Sequence, residues 1–295
     1  SASLVGSEMC IRDRPFQELA YRTGATLKWF DLTEDGRIRS DTADEAITEH
    51  TKVVAITHVG NTTGAITDIA PIIRRAHEVG AIFILDACQS VPHLKVDFHA
   101  LDVDFAAWSA HKMYGPTGVG FLYGRRELLE ALPPANFGGS MVELAWMDQP
   151  AQYMVPPARF EAGTQPVAQV VAAGVAAEWM MNVGLENIEA HERTIAAELL
   201  KMGDIDGVRI LGPRENVNRI GTVAFDVAGV HPHDVGQFID AQGIAIRVGH
   251  HCAQPVHRHF GLYASNRASS GVYNSVDDAH ALVEAVAKVR PFFGL

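Results

Sequence analysis

The sequence predicts an α/β protein with a large unit built on a mostly parallel sheet and a smaller C-terminal α/β unit. Two observations carry this expectation. From about residue 50, short apolar, β-branched runs alternate with amphipathic helical stretches, the pattern of βαβ units around a buried sheet. The 295 residues are 47% hydrophobic and 20% charged. That is enough chain for two ordinary domains with real cores, and the composition excludes a disordered or collagen-like chain.

The elements follow in order. Residues 1–14 are set aside as a non-native segment. The chain does not begin with Met, and the run Leu4-Val5-Gly6-Ser7-Glu8-Met9-Cys10-Ile11-Arg12-Asp13 resembles a translated sequencing-adapter fragment, an ordinary helical turn being the alternative. A truncated N-terminus is expected with it. Residues 53–59 read as a strand. Asp68 then reads as the N-cap of a helix ending at Gly80, with Ile69, Ile72, Ile73, Ala76 and Val79 on one face. Residues 81–87 form an apolar strand carrying one carboxylate, Asp86. Residues 105–109 and 119–123 are two further strands separated by the turn Gly115-Pro116-Thr117-Gly118. Residues 133–157 are loop-rich and marked by prolines and glycines.

Residues 166–202 read as two long helices broken near Asn182-Val183-Gly184. The large unit is therefore assigned to 15–182, with its N-terminal part missing, and the small one to 183–295. In the small unit, 208–211, 222–227 and 244–248 read as strands, and 232–242 and 277–289 as helices.

Charge and cysteine usage narrow the function. Lys and Arg number 24 against 35 Asp and Glu, a formal net charge of −11. This argues against a nucleic-acid footprint or a basic membrane-facing surface. Cys10, Cys88 and Cys252 are too few and too scattered for a disulfide framework or a Cys-x-x-Cys zinc site, which fits a reducing, cytoplasmic setting. No apolar run approaches the roughly 20 residues of a membrane span, and the first residues lack a signal-peptide pattern.

Ligands of open α/β sheets sit beyond the carboxyl ends of the strands, so polar residues there are the first candidates. They are Asn61 after the first strand, Asp86 with Gln89 after the second, and Ser109, His111 and Lys112 after the third. A buried carboxylate at Asp86 needs a cation or donors. A lysine in a dry pocket is a candidate Schiff-base former. Singly, each has a plain alternative: Lys112 as a solvated loop residue, Asp86 as a helix cap. Together they supply what a pyridoxal phosphate site requires: a lysine for the covalent link, a carboxylate for the ring nitrogen, and donors for the phosphate.

Ser109-Ala110-His111-Lys112 followed by Tyr114-Gly115-Pro116-Thr117-Gly118, with Asp86-Ala87-Cys88-Gln89 upstream, resembles the class V aminotransferase family of fold-type I pyridoxal phosphate enzymes. Within it, Arg247-Val248-Gly249-His250-His251-Cys252-Ala253 is similar to the persulfide loop of SUF-type (group II) cysteine desulfurases and selenocysteine lyases. Arg159-Phe160-Glu161-Ala162-Gly163-Thr164 and Asn266-Arg267-Ala268-Ser269 are similar to further family motifs in the same order. The likeness covers about residues 15–294.

The resemblance implies roles. Lys112 would link to the cofactor, Asp86 would pair with its pyridine nitrogen, and Gln89 would bond its phenolic oxygen. Ser109 and His111 would hold the phosphate, with Thr164 reaching the phosphate of a neighbouring subunit in a homodimer with shared sites. Asn61 and Arg267 would bind the carboxylate of L-cysteine or L-selenocysteine. Cys252 would take the sulfur and pass it to an acceptor protein for iron–sulfur cluster assembly. On the residues themselves, attack on sulfur needs a thiolate, which His250, His251 and Arg247 would favour electrostatically. A structural buried cysteine and a His-His-Cys metal site are the alternatives, the latter disfavoured because adjacent side chains seldom converge on one ion. The family's phosphate-cradling turn and ring-stacking histidine have no counterpart here. A catalytically inactive fragment with only a partner-binding role is therefore the alternative of another class, and selenocysteine lyase or another class V activity is the alternative within the family.

Overall fold

The protein is described by a computed structural model covering residues 3–6 and 10–295, with side chains from residue 14. The first unit runs β1 (Ser3–Gly6), α1 (Cys10–Thr23), β2 (Thr26–Trp29), α2 (Ala43–Ala46), β3 (Thr51–Thr57), α3 (Ala70–Glu78), β4 (Ile82–Asp86), β5 (Phe105–Ser109), β6 (Gly120–Gly124) and α4 (Arg126–Ala131). A two-stranded hairpin, β7 (Val142–Leu144) and β8 (Gln152–Tyr153), and the helix α5 (Val167–Val183) lead out of it. The second unit comprises α6 (Leu185–Leu199), β9 (Val208–Leu211), β10 (Thr222–Val227), α7 (Pro232–Asp240), β11 (Arg247–Gly249), α8 (Gln254–His259), β12 (Ser265–Ser269) and α9 (Val276–Phe292).

The large sheet has the order β2-β1-β3-β4-β5-β6. All its pairings are parallel except β5 with β6. Its centre is dry: Val54, Ile56, Phe83 and Leu85 are fully buried. Each such side chain contributes about 1.5–3 kcal/mol relative to an exposed one, which fixes where β3 and β4 end and thus where Asp86 stands. Helix α3 covers this face with Ile72, Ile73 and Ala76. Asp68 does not cap it in the expected register. The cap position is Ile69, and Asp68 instead accepts the Ala70 N–H at 3.3 Å.

The segment set aside as non-native enters the sheet: Ser3–Gly6 pairs in parallel with both β2 and β3. A reading that starts at residue 15 therefore misses one strand of the sheet.

The chain turns between α5 and α6 at Gly184, whose φ of 90° lies in the left-handed region. The second sheet, of order β11-β12-β10-β9, is antiparallel throughout. It packs against α6, α7 and α9 around Ile195, Phe225, Val235, Ile239, Leu282 and Val286. Helix α9 starts in a capping box, Ser275 accepting from the Asp278 N–H and Asp278 accepting from the Ser275 N–H.

Two features lock the units together. The loop after β3 docks onto the segment before β10, with Ile66 N–H bonded to Asn218 O and Ile220 N–H to Gly64 O, both at 2.9 Å. Gly64 permits this approach: its φ is +69°, and a Cβ there would lie 2.3 Å from the Thr222 carbonyl oxygen. Across the junction, His93 Nδ1 lies 2.7 Å from Glu192 Oε2, a carboxylate only 2% exposed. Among the described residues, no single helix is long and apolar enough to cross a membrane.

Candidate active site

Three adjacent parallel strands, β3, β4 and β5, end on one edge and deliver one cluster. The parallel ladder continues one bond past β3, with His58 N–H donating to Asp86 O at 3.0 Å. Asp86 ends β4, and its Oδ1 accepts the Cys88 N–H at 2.9 Å, which turns the chain toward Gln89. Ser109 ends β5, with its Oγ 3.9 Å from Cys88 Sγ. Ala110–Lys112 forms the tight turn that follows, placing Lys112 half-buried beside this group. Its charge and that of Asp86 both act on the Cys88 thiol. The Lys112 ammonium makes no hydrogen bond to the described residues. Burial, then Asp86, pushes the Cys88 thiol up from its ordinary range, so Cys88 stays a protonated, inert neighbour.

His58, at the start of the loop after β3, carries no mark in the sequence pattern. It is 9% exposed, its Nδ1 has no partner among the described residues, and burial lowers its pKa to about 4. It is therefore neutral beside Asp86. Nothing in the local pattern separates such a histidine from an ordinary loop residue.

The second cluster joins the loop after β3 to the small unit. Asn61, in the docked loop, donates through Nδ2 to the backbone oxygen of His251 at 2.5 Å. Its own backbone oxygen accepts from Arg267 Nη1 at 3.0 Å. The expected substrate-binding pair is thus joined directly to the loop that bears Cys252. Arg247 lies opposite Arg267 in the β11–β12 pairing, so two guanidiniums share one face of the sheet. Burial, then Arg247, lowers the Arg267 pKa while Cys252 raises it, which puts the Arg267 guanidinium within electrostatic reach of the Cys252 loop. Arg267 Nε is buried with no partner among the described residues. A buried cationic fork with an open donor is suited to a carboxylate.

One expectation about Cys252 needs correcting. His251 does not supply positive charge to the thiol. It is 2% exposed, and burial, followed by Arg267, His257 and Arg247, lowers its pKa to about 3. Of the neighbouring cations among the described residues, Arg267 is the one that interacts with Cys252. His251 and Cys252 both have positive φ, 51° and 62°, so the loop crest is a strained double turn held by its surroundings.

The remaining expected residues stand apart. Gln89 is half-buried next to Cys88, and His111 is exposed on the turn before Lys112. Thr164 is exposed on the loop before α5, and no hydrogen bond ties its side chain to either cluster among the described residues. Arg159 of the same motif is structural, donating to Met154 O at 3.1 Å and Glu130 O at 2.9 Å.

The aminotransferase class-V family profile matches residues 12–282. The chain belongs to the aminotransferase class-V family. It is 51% identical over 281 residues to "Probable cysteine desulfurase 2" of Mycobacterium leprae, a match covering 95% of this chain and 66% of that protein. Among solved structures it is similar to the cysteine desulfurase CsdA (S-sulfonic acid) from Escherichia coli, with a TM-score of 0.94 and 34% identity over 99% of this chain and 73% of that one. It is equally similar to the apo cysteine desulfurase from Thermococcus onnurineus NA1, with a TM-score of 0.94 and 32% identity over 100% of this chain and 74% of that one. The chain spans about two thirds of the length of the curated relatives it matches. For this class V chain, the fold-type I α/β architecture expected from the sequence is the one observed.

Proposed function

We propose that this class V protein is a pyridoxal phosphate-dependent cysteine desulfurase, which converts L-cysteine to L-alanine and receives the sulfur on Cys252. The observation that carries the reading is the junction of the two clusters: Asn61, from the edge that bears Asp86 and Lys112, is hydrogen-bonded both to the Cys252 loop and to Arg267. A lysine amine and a sulfur-accepting thiol thus belong to connected loops.

The residues fit the cofactor. Lys112 has an ammonium without a hydrogen-bonding partner among the described residues, Asp86 supplies a carboxylate at the adjacent strand end, and neutral His58 presents an unpartnered buried nitrogen. When bound, the cofactor supplies an electron sink that makes the substrate's α-proton acidic. Lys112 would make the covalent link and exchange that proton through its amine. Asp86 would hold a proton on the pyridine nitrogen, and Gln89 would donate to the phenolic oxygen. Ser109 and His111 would hold the phosphate, joined by Thr164 from a neighbouring subunit of a homodimer. Asn61 and Arg267 orient the substrate carboxylate. The Cys252 thiolate would attack the substrate sulfur, forming a persulfide S–S bond as the substrate's C–S bond breaks, and the electron pair left on carbon would take up a proton to give the methyl group of alanine. The persulfide sulfur then passes to an acceptor thiol, the SUF-type role in iron–sulfur cluster assembly in a reducing cytoplasm. Selenocysteine, whose carboxylate and amine are identical, would be held by the same contacts.

The test is an assay of the purified protein with pyridoxal phosphate and cysteine for stoichiometric alanine and, with a thiol reductant, sulfide. Alanine formed without sulfur release, or amino-group transfer to an added 2-oxo acid, would indicate another class V activity.

A further inference from the structure

Behind the Cys252 loop two buried histidines share one hydroxyl. His257 Nε2 lies 2.9 Å and His251 Nε2 3.1 Å from Ser265 Oγ, and His257 Nδ1 lies 2.9 Å from the Ala253 carbonyl oxygen. His257 is 1% exposed and Ser265 fully buried. Burial lowers the pKa of both histidines, so both rings are neutral and each carries one N–H.

Elementary donor counting then fixes every proton. A carbonyl oxygen can only accept, so the single N–H of His257 sits on Nδ1 and its Nε2 is an acceptor. The Ser265 hydroxyl has one proton and must give it to that Nε2. Ser265 Oγ is left as an acceptor for His251, whose single N–H therefore sits on Nε2. The chain of bonds runs one way, from His251 through Ser265 and His257 to the Ala253 carbonyl, the residue that follows Cys252. His251 and Ala253 flank the reactive cysteine, so the two ends of this bridge close a loop around it, and the His251 carbonyl is tied from the other side by Asn61.

We propose that Ser265 and His257 are positioning residues for Cys252: they lock His251 in its Nε2–H tautomer and hold the left-handed His251–Cys252 turn in the conformation that presents the thiol. The functional part of this inference rests on the desulfurase reading, whereas the tautomer assignment does not. The bridge adds polar ties to the apolar packing of Ala253 and Val256 against Leu211, Ala224 and Phe260. Residues 265–269 read Ser-Asn-Arg-Ala-Ser, with polar side chains on the strand that backs the turn. Loss of the hydroxyl would leave a buried donor and a buried acceptor unpaired and free the crest of the loop.

The experiment uses the full chain labelled with 15N-histidine, loaded with pyridoxal phosphate, as parent, Ser265→Ala and Ser265→Thr. In the parent, NMR of the ring nitrogens is expected to show the proton on Nε2 of His251 and on Nδ1 of His257. In Ser265→Ala the His251 ring should become a mixture of tautomers. The rate of persulfide formation on Cys252 should fall about tenfold to a hundredfold, the order expected of misplacing a reacting group by about 1 Å, with KM for cysteine unchanged. Ser265→Thr, which keeps the hydroxyl, should restore both signals. A His251 proton on Nδ1, or a Ser265→Ala protein that forms persulfide at the parent rate, would overturn the proposal. If the parent forms no persulfide at all, the desulfurase reading fails, and the NMR pattern still decides the tautomer assignment on its own.

Discussion

The two units hold their candidate residues by opposite means. On the parallel sheet, Lys112, Gln89 and His111 stand at strand ends, half-buried or exposed and without hydrogen-bonding partners among the described residues, positioned by a dry core beneath them. Beside the antiparallel sheet, Arg267 and His251 are held by polar bonds to Ser265 and to Asn61 of the loop after β3. The first arrangement leaves side chains free for a ligand that completes them. The second fixes a reactive loop before any ligand arrives. Substitutions in the two clusters should therefore separate function from stability differently.

The largest expected effect is functional only. Lys112→Ala should abolish the borohydride-reducible cofactor absorbance and all cysteine turnover, while denaturant unfolding shifts by no more than about 0.5 kcal/mol, as for a surface substitution. A large loss of stability would show that the large-unit cluster is as structurally committed as the small-unit one.

Acid should act on both units at once. His58 and His251 have folded pKa values of about 4 and about 3. Unfolded histidines take up protons below about 6.5, whereas these two do not while the chain is folded. Stability should thus be complete above pH 6.5 and fall below it, by about 1.4 kcal/mol per pH unit for each of these two histidines and further through the buried His257, until about pH 4, where His58 itself protonates. Of the two, only His251 continues to contribute between about pH 4 and pH 3. His251→Gln should make the upper slope shallower by about 1.4 kcal/mol per pH unit, and denaturant unfolding between pH 5 and pH 7 would read it. An unchanged slope would mean that the small-unit histidine is charged after all.

Arg267→Ala should do what Lys112→Ala does not. It removes the donor to Asn61 O as well as the anion fork, so it should cost about 1–3 kcal/mol and raise KM for cysteine together. A purely kinetic effect would place Arg267 with the free residues of the other cluster. The smallest effect belongs to Cys88→Ser. Its thiol is held protonated by burial and Asp86, so turnover should stay within about twofold of the parent, since the residue is not asked to ionise.

The contrast also explains what the sequence discloses. Strands β3, β4 and β5 read as short, largely apolar runs, and the polar residues at or just beyond their ends stand out as Asn61, Asp86 and Ser109. Strand β12 is not legible in that way. Its Ser265 and Arg267 point into a polar network rather than a core, so neither alternation nor an apolar run marks Ser-Asn-Arg-Ala-Ser as a strand. The hairpin β7–β8 hides inside a proline-rich stretch for a related reason, its strands being very short. Likewise, the sequence places His251 beside Cys252 but not its burial, which reverses its electrostatic meaning.

The central claim is that Cys252 is the sulfur acceptor, and it is tested most directly by mass spectrometry of the protein after brief exposure to cysteine with pyridoxal phosphate and no reductant. The expected result is one added sulfur atom on the peptide containing Cys252, removed by reductant, absent in Cys252→Ala and unaffected by Cys88→Ser. Added sulfur on the Cys88 peptide, or alanine production at the parent rate by Cys252→Ala, would contradict it.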